Sequence, residues 1–162
     1  MKKSFSLKLD KTHAYWSWVF LWSRKDILNM ITESTYEILH KAGWYEGRQI
    51  DISVAEKYFL KKGVVISEAQ KGFLKEFSGL YICNPLNNVH FLELFSVQYI
   101  VDNDCFDYFE KIDETATYGT NFIKVGEYYP SAVYLTNDGL LFDEWQYLTG
   151  NSALECIQRY IK

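Results

Sequence analysis

Proline is nearly missing from this sequence, with two residues in 162. No Gly/Ser/Pro-rich stretch, repeat or low-complexity segment accompanies them, so nothing marks an interdomain linker. The length suits one domain with one core. Cysteine is scarce and odd in number. Cys83, Cys105 and Cys156 are widely spaced and form no CxxC pair, which excludes a zinc ribbon and a disulfide framework and points to a reduced, cytoplasmic setting. Basic charge is outweighed, 17 Lys and Arg against 21 Asp and Glu, for a net charge of −4. Phosphate binding needs a basic face, so nucleic acid is not expected as a direct partner, whereas a basic protein is allowed. Long apolar runs are absent too. The longest, "AYWSWVFLW" from Ala14 to Trp22, is too short to span a bilayer. Lys8, Asp10 and Lys11 precede it and no small-x-small cleavage site follows, so it reads as an aromatic strand and not as a signal peptide or membrane anchor.

Catalytic signatures are missing as well. His13, His40 and His90 lie far apart, outside HExxH or HxE spacing, and no GxSxG elbow, P-loop or GxGxxG occurs. "DNDCFDYFEKID", starting at Asp102, has acidic residues at positions one and three of a calcium loop. It then places Phe106, Asp107 and Asp113 where an oxygen ligand, a glycine and a glutamate are required. No metal, no cofactor and no enzymatic activity are expected.

What is present is a core-forming composition. Hydrophobic residues make up 48% and aromatics 18%, enough to bury a sizeable interior. "SFSLKLD" (Ser4 to Asp10) alternates, as do Trp16, Trp18 and Phe20, which suggests a hairpin over the first 22 residues. The pattern predicts a helix over 26–42 capped by Asp26 and stopped at Gly43. Capping boxes predict two more helices, Ser53 with Glu56 ending at Gly63 and Ser67 with Gln70 ending at Gly79. Strands are expected at 80–83 and 89–95, then an acidic helix over 102–115. "NFIKVGEYY" and "SAVYLT" read as further strands, and Asn137-Asp138-Gly139 as a tight turn leading into "LLFDEW". Ser152 with Glu155 opens the last helix. This order, with short connections and hairpins, predicts an α+β domain whose sheet is largely antiparallel and packed with several helices.

One stretch stands apart: Ala42-Gly43-Trp44-Tyr45-Glu46-Gly47-Arg48. Gly43 ends the helix, Trp44 folds back as a core anchor, and Gly47 permits the turn into the next segment. Arg48 ties the loop by bonding to carbonyls or to a carboxylate; the competing reading makes Arg48 a partner or ligand site. A second stretch is acidic. Asp102, Asp104, Asp107, Glu110, Asp113 and Glu114 stand against one base, Lys111. A helix dipole favours the first of these acids but not the last, and Asp107, Glu110 and Asp113 repel one another at i, i+3, i+6. Such a cost in the free protein suggests use in a complex, so these six residues are the candidate partner surface.

The loop motif, the Phe73-Leu74-x-x-Phe77-x-Gly79-Leu80 block and Val125-Gly126-Glu127 followed by Asn137-Asp138-Gly139 form an ordered series. In order and spacing the series resembles the SUKH superfamily, and within it the third, bacterial subfamily, over about residues 31–161. Glu46 stands where members usually have proline. The resemblance implies a sheet covered by helices over 26–162, with the aromatic-rich residues 1–25 an extension of the same domain. It also implies an immunity protein, without catalysis or cofactor, that binds and blocks a cognate polymorphic toxin of nuclease or deaminase type in the producing cell. The alternative is an intracellular regulatory scaffold that binds a cellular protein or a small ligand.

Overall fold

The structure, a computed structural model, describes residues 31–83, 91–105, 122–128, 131–143 and 152–161. The first helix, α1 (Glu33–Lys41), starts later than the apolar spacing suggests. Thr32, with ψ 154°, is its N-cap and accepts the Thr35 N–H, so the helix opens there and not at Asp26, which lies outside the described residues together with the expected hairpin. Helix α2 (Ser53–Lys61) also departs from expectation. Ser53 is its first helical residue and not its cap, because the Asp51 carboxylate takes both the Ser53 N–H at 2.8 Å and its hydroxyl at 3.1 Å. Glu56 turns instead to Lys71, 3.5 Å away. Helix α3 (Glu68–Phe77) has the complete Ser67/Gln70 capping box.

Strands β1 (Tyr81–Cys83) and β2 (Phe91–Leu94) follow, then a helix that sequence reasoning did not place. Ser96 caps α4 (Val97–Asp102), which ends where the acidic helix was expected to begin. Its Val-Gln-Tyr-Ile-Val run resembles a strand continuation, and only the serine bond to the Tyr99 N–H at 3.1 Å marks it as helix. Strands β3 (Ile123–Tyr128), β4 (Ser131–Leu135) and β5 (Leu141–Asp143) come next, and α5 (Ala153–Tyr160) follows, its first turn bonded to the Ser152 hydroxyl. Between β4 and β5 the Thr136–Gly139 turn closes by main-chain bonds of 2.9 and 3.0 Å, with Gly139 at φ 79°, the three-residue hairpin that Asn-Asp-Gly favours.

The five strands form one antiparallel sheet in sequence order, β1-β2-β3-β4-β5. With five helices among the described residues this is an α+β domain. One sheet face is filled. Ile82, Leu92, Leu94, Val133, Leu135 and Leu141 join Leu39, Trp44, Phe59, Phe73 and Ile157 of the helices in a single buried core. The opposite face carries a smaller cluster of Phe122, Ala132, Tyr134 and Phe142 at its β4–β5 end. A bulge in β3 between Lys124 and Gly126 shifts its register against β4. A Cβ at Gly126 would lie 2.2 Å from the Glu93 carbonyl oxygen, so no other residue fits this close approach of strands.

Candidate functional site

The 42–50 loop is built outward from the end of α1. Gly43 adopts φ 95°, and a Cβ there would meet nothing within 4 Å, so the glycine is demanded by backbone conformation and not by space. Its N–H bonds the His40 carbonyl at 3.1 Å, and the Trp44 N–H bonds the Leu39 carbonyl at 3.0 Å. This is the paired closure of a Schellman motif, whose accompanying apolar contact sets Trp44 against Leu39. Trp44 is 1% exposed. Its ring stacks on Phe77 at 6.5 Å and meets Tyr36 edge-on at 5.9 Å. Gly47, at φ 74°, then turns the chain toward Arg48.

Arg48 reaches across to the end of α3. Nη1 donates to the Glu76 carbonyl at 2.6 Å and Nη2 to the Ser78 carbonyl at 2.8 Å. The Ile50 N–H adds a bond of 3.0 Å to the Lys75 carbonyl. A helix leaves its last carbonyls without internal donors, and here the loop of another helix supplies them, with a cation at the negative end of the dipole. The Trp44 indole Nε1 donates to the Glu76 carboxylate at 3.1 Å. Burial raises that carboxyl to about 7, against the pull of the Trp44 bond and of the Arg48 charge. Burial also lowers the Arg48 pKa, opposed by Tyr45 and Glu76. Glu76 went unnoticed in the sequence because its partners stand 28 and 32 residues away.

The acidic stretch is only partly described. Asp102 is exposed at the end of α4 and accepts a bond from Gln98 one turn earlier at 2.8 Å. Asp104, at φ 48°, accepts from the Tyr58 hydroxyl and pairs with Lys62 at 3.0 Å, which fastens this turn to α2. Those hydrogen bonds, Tyr58 first, hold its carboxyl below the usual range. Asp102 ends a helix and does not open one, contrary to expectation. Asp107, Glu110, Asp113 and Glu114 lie outside the described residues.

A grouping that the sequence did not announce appears on the second sheet face. Strand register places Tyr81 opposite Glu93, Glu93 opposite Glu127, and Glu127 opposite Ala132, so the four side chains form one row across β1 to β4. Lys124 pairs with Glu127 at 2.9 Å and lies 5.3 Å above the Phe95 ring. Among the described residues no cation or hydrogen-bond donor reaches the Glu93 carboxylate. The signal was present as alternation in "YIC", "FLEL" and "IKVGEY", but the register that joins them is a tertiary fact.

The described residues contain no group of three metal-ligating side chains and no helix long and apolar enough to cross a membrane. Cys83, Cys105 and Cys156 form no disulfide. Burial pushes the Cys105 thiol up to about 11, which makes it a poor nucleophile. His40 lies against Tyr36, with ring centres 6.2 Å apart; His13 and His90 are outside the described residues. Among known proteins, no curated protein and no solved structure matches the chain. One family model does, over residues 31–161, and its description is SUKH-3 immunity protein.

Proposed function

The chain belongs to the SUKH-3 immunity protein family, and from that premise we propose that it binds and neutralises a cognate polymorphic toxin of nuclease or deaminase type inside the producing bacterium. The family match over residues 31–161 carries this reading. The proposed domain spans 26–162, with residues 1–25 part of the same unit. Neutralisation proceeds by binding alone, with no reaction and no cofactor. That Cys83, Cys105 and Cys156 form no disulfide supports a cytoplasmic setting.

A toxin that acts on nucleic acid must hold phosphate with basic groups. The net charge of −4 then favours encounter with such a partner through the long-range field. The acidic segment that starts at Asp102 and Asp104 and continues through Asp107, Glu110, Asp113 and Glu114 is the proposed source of that field near the contact. The test is co-expression with the toxin domain encoded beside this gene. Cells that make both proteins are expected to grow as well as cells that make neither, while the toxin alone arrests growth. Arrest despite equal expression of both proteins removes the reading.

A further inference from the structure

The row on the second sheet face has three properties that a merely solvated face does not need. Glu93 and Glu127 stand directly opposite each other on β2 and β3, an arrangement in which like charges destabilise a sheet. Lys124 compensates Glu127, so among the described residues the Glu93 carboxylate is left over. Beside that carboxylate Tyr81 is 51% exposed, a large ring held at a strand position.

The row also adjoins the acidic segment. The charges of Lys124, Asp104 and Glu127 all act on the Cys105 thiol, so Asp104, of the acidic segment, and the sheet carboxylate contribute to one local field. A second copy of this chain is a poor occupant, since it would bring the same acids face to face. Nucleic acid is repelled for the same reason. The complementary group is a cation on a protein surface.

We propose that this face, centred on Glu93, Glu127 and Tyr81, receives an arginine side chain of the toxin domain. A planar guanidinium can take the carboxylate in a forked pair while it stacks on the tyrosine ring. This inference rests on the immunity reading and names the docking surface within it.

The experiment measures binding of the purified toxin domain encoded beside this gene to the full chain, by titration calorimetry at low and high salt, with melting temperature alongside. Glu93→Gln and Tyr81→Ala are each expected to weaken binding at least tenfold. Glu93→Gln is also expected to flatten the salt dependence and to leave the melting temperature equal or higher, because it removes a like-charge contact. Glu37→Gln, exposed on α1, serves as control and is expected to bind as wild type. Wild-type affinity in both face variants overturns the surface and leaves the immunity reading intact. Weaker binding with a lower melting temperature in both variants means a structural role and also overturns it. Loss of self-association by sedimentation, with toxin binding unchanged, gives the face to a second copy and overturns it. A wild-type chain that binds no toxin removes the immunity reading, and this inference with it.

Discussion

Arg48 and Glu93 show two opposite fates for a charge in one small domain. Both terminal nitrogens of Arg48 end on main-chain carbonyls, and the neighbouring Glu76 carboxylate receives an indole N–H. Both charges at that joint are engaged by the fold. Glu93 lies in a regular strand, opposite another carboxylate, and no cation among the described residues pairs with it. The difference separates charge that holds a protein together from charge that is available to something outside it. It also says where each kind of variant should register, in stability for the joint and in affinity for the row.

The largest effect belongs to the joint. Trp44→Ala removes a fully buried indole, and large aromatic truncations cost about 3–5 kcal/mol; urea unfolding should report a loss of that size. Arg48→Met comes next. It keeps the aliphatic stem but leaves two partly buried carbonyls without donors, for a cost of about 2–4 kcal/mol. Arg48→Lys should recover less than half, since a single ammonium cannot reproduce the fork. If Arg48→Met instead keeps its unfolding midpoint and loses toxin binding, the joint belongs with the row and the comparison fails.

The smallest effect at the joint is a dependence on pH. The Glu76 carboxyl rises from 4.5 to about 7 on folding, so the native state binds its proton more tightly than the unfolded chain does. That contribution is fully present below pH 4.5 and is lost as pH climbs through 7, on the order of 3 kcal/mol. The protein should therefore be more stable at pH 5 than at pH 8. Glu76→Gln keeps an acceptor for Trp44, has no charge to bury, and should flatten the profile between those values. A wild-type profile that is already flat, or one that rises toward pH 8, contradicts the account of Glu76. The carboxyls of Asp51 and Asp104 are shifted down, and so titrate below this window.

Much of the fold was legible because helix ends use local code. Ser67 with Gln70 lie three residues apart, and Gly43 and Gly63 follow their helices directly, so each signal is complete within one turn of chain. Where two residues could do the same work, local code was ambiguous. Asp26 and Thr32 are both good caps, and Ser53 competes with Asp51 two residues before it. The start of α4 was hidden because Ser96 has tyrosine at the third following position, where a capping box has Glu or Gln. The amino acids of the 43–48 loop stood out, yet Arg48 left carbonyls and carboxylates equally open, since its acceptors lie 28 and 30 residues away. The row on the sheet was the least legible part. Its members come from several strands, and only the register, fixed in part by the bulge before Gly126, makes them neighbours.

The Arg48 contacts have a further consequence in the order of events during synthesis. They close a ring of chain whose ends are 30 residues apart, short enough that closure costs little more entropy than an ordinary loop. Helices α2 and α3 both lie inside that ring, and α1 ends just before it. Once Ser78 has left the ribosome, α1, α2 and α3 can latch together while β3, β4 and β5 are still untranslated. The strands then assemble onto a surface that already exists. Arg48 can thus bear on the order of assembly as well as on the stability of the finished joint, beside the Ile50 and Trp44 contacts that close the same ring.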